Sequence, residues 1–375
     1  VVMILLESHR AVNVGHLSDF GASSSDSPFL DELARGTNAH LFGQHQVNGV
    51  PTISSFFSIH CSLYAKSVGH AATDNTKSNF KCLNDYLKPH GIKQYFLTAA
   101  APDWDNQTFW LSKWYDDYDF SRDRQTDVRL FDHMGDWMMR NLDEQKPFFV
   151  GAITKTNHFP FNPVDDMTED ERAQTPRNIG TTMRYSDRAL KRLFDRIKTA
   201  PWFKRTVFII TADHGFNWGE DDYFRLGDPL RLPSAWLPLV MIGDHPQLKQ
   251  LPKRIKHASS HVDLAPTILD LFGVVEPNSF VGHSVFDSKF QTAAYVYASN
   301  EDARVFVTDG HRLFYDPPSG PRKKGPEVFD LASDPRLKTP LNETESATYL
   351  HGNSSQVDAI QRLSDYVQNA DKVIP

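Results

Sequence analysis

Hydroxyl, carboxylate and imidazole groups stand at a few points of this sequence where packing alone does not account for them. In "NGVPTISSFFS", Thr52, Ser54, Ser55 and Ser58 fall within seven residues. In "TADHG", Asp213 and His214 sit side by side after a strongly apolar run, where a charged pair is costly unless a metal ion or counter-charge receives it. Glu7 closes another apolar run, "VVMILLES". A Glu, an Asp and a His form a mixed oxygen and nitrogen set suited to one divalent ion, manganese or zinc, with magnesium or calcium fitting less well. Plainer roles exist for each: a turn cap for Asp213, a satisfied rim histidine for His214, half of a salt bridge for Glu7.

A deprotonated hydroxyl could complete such a set. A threonine is a weak nucleophile at neutral pH, and coordination to a divalent cation lowers its pKa enough for attack on phosphorus or sulfur. Gly49 and Pro51 put a turn before Thr52, and "ISSFFSIHCSLYA" reads as the helix that follows. Thr52 then lies near a helix N-terminus, where backbone N–H groups stabilise an anion. Capping that helix is the alternative role.

The elements that must position these residues can be read from the hydrophobic pattern. "VVMILL", "PFFVGAIT", "TVFIITA" and "LPLVMIG" are unbroken, β-branched runs of the kind found in buried parallel strands. Between them, "MRYSDRALKRLFDRIKTA" has Leu190, Leu193, Phe194 and Ile197 at helical spacing, and "HVDLAPTILDLFGV" is a second helix with Gly273 placed to end it. This alternation predicts an α/β fold, a mostly parallel sheet with helices on both faces and ligands beyond the carboxyl ends of its strands. Three strand ends run into Glu7, into "TKTNHFPF" and into Asp213-His214-Gly215, which could form one rim. The expected organisation is a catalytic core over residues 1–284, a small antiparallel subdomain over 285–340, and a polar tail over 341–375 ending in a short helix from "DYVQNADKVIP".

Composition narrows the class. The formal net charge is −7, and no helix or aromatic stretch concentrates Lys and Arg, which argues against nucleic-acid partners; "PKRIK" and "PRKKG" read as solvated loops. Two cysteines, Cys61 and Cys82, exclude a Cys-rich zinc module and leave room for one disulfide. Sequons at Asn106, Asn342 and Asn353 suit an extracytoplasmic setting. No apolar run reaches the roughly 20 residues a membrane-spanning helix needs. Because the sequence opens directly on a core strand without Met, an upstream segment carrying a membrane tether is expected.

Taken together, "ILLES", "PTISSFF", "NHFPF", "MRYSDRALKRLF", "TADHG", "HVDLAPTILDLFG" and "EVFDLASDP" resemble motifs of the alkaline phosphatase and sulfatase superfamily, spread over most of residues 1–335. Within it, the sequence is most similar to the lipoteichoic acid synthase-type phosphoglycerol transferases. Position by position, the resemblance implies a metal site of Glu7, Thr52, Asp213 and His214, with Thr52 as the nucleophile that becomes phosphorylated. It implies that His158 contacts the transferred group and that Trp110 lines a glycerol phosphate pocket. The family pattern has an arginine two residues after that Trp; Ser112 stands here, followed by Lys113, which can act as a point charge but not as an arginine fork. The implied substrate is phospholipid-like or another phosphodiester, with a glycan or polyol acceptor, close to a membrane.

Other readings of the same residues are a phosphoethanolamine transferase, whose early pattern "ESHR" fits, and a phosphodiesterase that passes the intermediate to water. A sulfatase is disfavoured: the formylglycine motif it resembles at Cys61 lacks its Pro and Arg, where Leu63 and Ala65 stand, and Glu7-Ser8 replaces paired aspartates. A non-catalytic ectodomain binding glycans or lipid head groups is the reading from another class.

Overall fold

The structure is a computed structural model. It describes residues 1–370 except 21, 23, 65–70, 121–125, 176–177, 219–231, 288–295, 301–302, 309–311, 317–326, 331–332 and 335–338. "PRKKG" and the last five residues therefore lie outside the described residues.

Eight strands build one sheet: β1 (Val2–Leu6), β2 (Ala39–Gln46), β3 (Lys93–Thr98), β4 (Asp117–Phe120), β5 (Phe148–Ile153), β6 (Phe208–Ala212), β7 (Trp236–Ile242) and β8 (Arg254–Ser260). Their order is β4-β3-β5-β1-β6-β7-β2-β8. β4, β3, β5, β1 and β6 run parallel to one another. β1, β5 and β6 are buried along their whole lengths, as their unbroken apolar runs require. The run "LPLVMIG" does not fit the parallel expectation: β7 pairs antiparallel with β6, Thr211 opposite Leu239. Six of its seven residues are buried, so its apolar run reports burial, and burial is blind to strand direction.

The chain forms two compact units. The first comprises Val1–Leu41, Lys88–Gly215 and Pro238–Ile255. In it, the helix Ile179–Ile197 buries Leu190, Leu193, Phe194 and Ile197, and Asn178 caps it by accepting from the Gly180 N–H at 2.9 Å. The helix Asp127–Asn141 is capped in the same manner by Thr126, which accepts from the Arg129 N–H. At Gly151 in β5 an added Cβ would come within 2.6 Å of the Phe96 ring, so the absence of a side chain there lets β3 pack its aromatic across the strand.

The second unit comprises Phe42–Leu87, Phe216–Leu237 and Lys256–Pro375. Its helix Thr52–Cys61 stops short of the sequence expectation, because Ser62 takes a left-handed conformation (φ 50°) and donates its hydroxyl to the Val262 carbonyl at 2.5 Å. Cys61 and Cys82 form a disulfide. The helix Leu264–Phe272 ends at Gly273, whose φ of 68° is the left-handed cap expected of glycine. Four further strands, β9 (Val296–Asn300), β10 (Ala303–Thr308), β11 (Arg312–Asp316) and β12 (Glu327–Asp330), pair antiparallel in the order β12-β11-β10-β9. The tail is far more helical than its composition suggests, with one helix over Glu343–Ala370. Tyr349 and Leu350 of that helix pack on a cluster of Tyr64, Val262 and Val328, and this docking supplies what the local propensity of "HGNSS" does not. Among the described residues no helix is long and apolar enough to cross a membrane.

Candidate active site

Parallel register brings the first acidic residues together. Leu6 pairs with Ala212 across β1 and β6, so the chain leaves the sheet at Glu7 on one strand and at Asp213 on the next. Glu7, Asp213 and His214 are all buried, and one ligand atom from each lies within 4.8 Å of the others. Directly after Glu7, Ser8 adopts φ 50°, a left-handed conformation that costs a non-glycine residue about 1–2 kcal/mol. The bend turns the Ser8 N–H toward Asp213 Oδ1, at 2.9 Å, and its hydroxyl toward Glu7 Oε1, at 2.7 Å. Glu7 is further held by its N–H, which donates to Thr154 Oγ1 at the end of β5.

The imidazole is oriented for ligation. His214 Nδ1 donates to the Gly215 carbonyl at 2.8 Å, leaving Nε2 to face Asp213 Oδ2 at 3.3 Å and Glu7 Oε1 at 3.7 Å. Burial, reinforced by the neighbouring Asp213 charge, pushes the Glu7 carboxyl well above its ordinary range. Two carboxylates and an imidazole sharing one buried point fit a divalent cation, whose charge would offset both costs.

The loop after β5 is clamped to the same rim. Asp127 accepts N–H groups from Lys155 (2.8 Å) and Thr156 (2.9 Å), and the Ser186 hydroxyl also donates to it. Asn157 donates to the Glu7 and Ser8 carbonyls, each at 3.1 Å, and its own carbonyl accepts the Thr182 hydroxyl. Lys155 and His158 thereby line a cleft of about 180 Å³ together with Glu7, Trp104 and Gln107. His158 is exposed, its Nδ1 donating to the Phe159 carbonyl at 2.6 Å and its ring edge-on to Trp104 at 5.7 Å.

Of the four hydroxyls that open the question, two are committed locally. Ser55 donates to the Gly49 carbonyl at 2.6 Å and Ser58 to the Leu63 carbonyl at 2.9 Å. Thr52 is the first residue of its helix, buried, with Pro51 in the cap position, so it does not serve as the N-cap.

Trp110, which the resemblance implies for a glycerol phosphate pocket, lies in the helix Gln107–Trp114. It is 1% exposed, packs against Trp114 at 5.3 Å and carries Lys113 Nζ 5.4 Å from its ring centre. Neither Trp110 nor Lys113 is among the residues lining the cleft that contains Glu7; Trp104 and Gln107, earlier in the same segment, are. Sequence reasoning missed Trp104, Gln107 and Lys155, although Lys155 stands inside "TKTNHFPF", the strand end already singled out. It also missed Asp127 and Asn157, whose hydrogen bonds are long-range and leave no local pattern.

The family match and the curated relatives make this chain an α/β enzyme of the alkaline phosphatase and sulfatase superfamily. A protein of that superfamily from Vibrio parahaemolyticus has the same fold, with a TM-score of 0.79 at 19% identity over 100% of this chain and 88% of its own. A lipoteichoic acid synthase from Listeria monocytogenes matches with a TM-score of 0.73 at 14% identity, covering 99% of this chain and 91% of its own. The Sulfatase family model matches residues 1–274, and the chain belongs to that family. Among curated relatives, lipoteichoic acid synthase 2 of Bacillus subtilis is 22% identical over 92% of this chain and 56% of its own length. Lipoteichoic acid synthase of Staphylococcus saprophyticus is 26% identical over 67% of this chain and 42% of its own. The chain thus spans about half the length of the curated relatives it matches.

Proposed function

We propose that the protein is a metal-dependent phosphoglycerol-type transferase that works through a covalent phospho-threonine on Thr52, with a phospholipid-like or phosphodiester donor. The observation that carries this reading is the buried Glu7, Asp213 and His214 cluster, with its ligand atoms within 4.8 Å of one another. Those three residues, with the Thr52 hydroxyl as the resemblance implies, would hold one divalent ion, manganese or zinc. Bound there, the ion would lower the pKa of the hydroxyl and neutralise charge on the phosphoryl group.

The chain's own residues divide the work as follows. Thr52 Oγ1 forms a bond to phosphorus as the bond from phosphorus to the donor's alcohol oxygen breaks. N–H groups in the first turn of its helix stabilise the charge that develops on the phosphoryl oxygens. His158, at the cleft and exposed, gives a proton to the departing alcohol; in the second step it takes that proton back from the hydroxyl of the acceptor, a glycan or polyol, as the acceptor oxygen bonds to phosphorus and the bond from phosphorus to Thr52 Oγ1 breaks. The disulfide between Cys61 and Cys82 favours an oxidising, extracytoplasmic location, in keeping with a domain that works beside a membrane. It also removes Cys61 from consideration as a formylglycine precursor, which speaks against sulfate ester hydrolysis.

Peptide-resolved mass spectrometry of manganese-loaded protein, acid-quenched after incubation with phosphatidylglycerol, phosphatidylethanolamine or an aryl sulfate, tests this. A glycerol phosphate adduct on Thr52 supports it. Adduct on Ser54, a phosphoethanolamine or sulfate adduct, or product formed with no adduct at all would reject it.

A further inference from the structure

The cleft beside Glu7 contains two polar side-chain groups that find no partner among the described residues. Gln107 is 1% exposed and lines the cleft, yet its Oε1 is buried with no hydrogen-bond partner among the described residues, a state that carries the full desolvation cost of the group. Lys155 lines the same cleft, half-buried, and its ammonium forms no ion pair among the described residues. Lys113, the cation that follows Trp110 in sequence, has its ammonium over the Trp110 ring at 5.4 Å. Ala100, Ala101 and Ile153 supply an apolar wall, and Trp104 a flat aromatic one.

We propose that Lys155 and Gln107 form the head-group-reading pair of this enzyme: Lys155 neutralises a phosphate oxygen, and the Gln107 carboxamide hydrogen-bonds a hydroxyl on the alcohol the phosphate carries. This rests on the phosphotransfer reading above. A hydroxyl both donates and accepts, so it satisfies the carboxamide whichever of its two ends faces the cleft. A lysine across the same cleft repels an ammonium head group and attracts a phosphate, which selects a polyol ester over an amino-alcohol ester. The missing arginine after Trp110 then has a functional replacement from another segment, the loop after β5, acting as a point charge.

Calorimetric binding of glycerol phosphate, n-propyl phosphate and phosphoethanolamine to the manganese-loaded protein tests the pair. Gln107→Leu should weaken glycerol phosphate about tenfold and leave n-propyl phosphate unchanged, the effect of one buried hydrogen bond. Lys155→Met should weaken both about tenfold and narrow the margin against phosphoethanolamine, with Lys155→Arg recovering part of the loss. Melting temperatures within about 2 °C of wild type would establish that each variant is folded; if Gln107→Leu is not, Gln107→Asn, which shortens the reach, should show the same selective loss. The proposal is overturned if wild type binds none of the probes, if both phosphates weaken equally in Gln107→Leu, or if Lys155→Met binds as wild type does. A wild type that binds glycerol phosphate with this pattern but forms no adduct on Thr52 would reject the transferase reading and leave the pair standing.

Discussion

Two sets of carboxylates in the first unit receive opposite treatment. Along the helices Asp127–Asn141 and Ile179–Ile197, acids outside the core are paired with basic side chains: Asp132 with Arg192 at 2.7 Å, and Asp136 with Arg196. At the ends of β1 and β6, Glu7 is 3% exposed, meets the Ser8 hydroxyl and the His214 imidazole, and has no Lys or Arg ion pair among the described residues. Exposed pairs of the first kind are worth about 0–1 kcal/mol each, while a buried carboxylate without a cation costs several. The chain pairs Arg with acids on a helical face yet pairs none with Glu7 among the described residues, which is the arrangement the proposed cation site requires.

The largest expected effect follows from that contrast. Glu7→Gln should lower turnover about a thousandfold or more while the protein remains folded, whereas Asp132→Asn should change turnover less than about twofold, measured with the same donor. Comparable losses in both would erase the distinction. A second effect concerns pH. With its carboxyl held well above the ordinary value of 4.5 by burial and then by Asp213, Glu7 in the ion-free fold keeps a proton that the unfolded chain has released. Stability of the ion-free protein should therefore fall as pH rises past about 4.5, and cation affinity should rise with pH because binding expels the proton. Calorimetry in buffers of different ionisation enthalpy should register proton release on manganese binding; no release would contradict the assignment of Glu7.

Asp187 sharpens the comparison as a buried carboxylate with a purely structural solution. It is 2% exposed and accepts the Phe29 and Leu30 N–H groups, at 2.8 and 2.9 Å, at the start of the helix Pro28–Ala34. Burial raises its pKa from 3.8 to about 6 against the pull of those two N–H groups. Its contribution to stability is thus greatest below pH 3.8 and declines as pH rises to about 6, the slope that Asp187→Asn should remove. Asp187→Ala should cost about 2 kcal/mol in chemical denaturation and leave kcat unchanged. Smallest of all, Arg192→Ala should lower stability by less than about 1 kcal/mol, with most of that gone at high salt.

How far the sequence disclosed this molecule depends on which signal each part left. β1, β5 and β6 are apolar on both faces, so their positions were legible, and with them the strand ends carrying Glu7, Asp213 and His214. The direction of β7 was not, since a fully buried strand reads alike either way. β2 and β3 escaped notice because polar residues such as His40, Gln46 and Gln94 are buried within them, His40 through the Pro252 carbonyl. The helix Glu343–Ala370 was hidden by a weak local pattern, its packing on Tyr64 and Val328 being invisible to any window of sequence. Trp104 and Trp110 look alike in the sequence, and only three-dimensional packing makes one line the cleft and buries the other.

The most direct test of the account is anomalous diffraction, at the manganese and zinc edges, from crystals of the protein purified without chelator, paired with elemental analysis of the same preparation. One ion bonded to Glu7, Asp213 and His214, and lost in Glu7→Gln, is the predicted result. An active preparation with that position empty, or one that keeps full occupancy in Glu7→Gln, would contradict it.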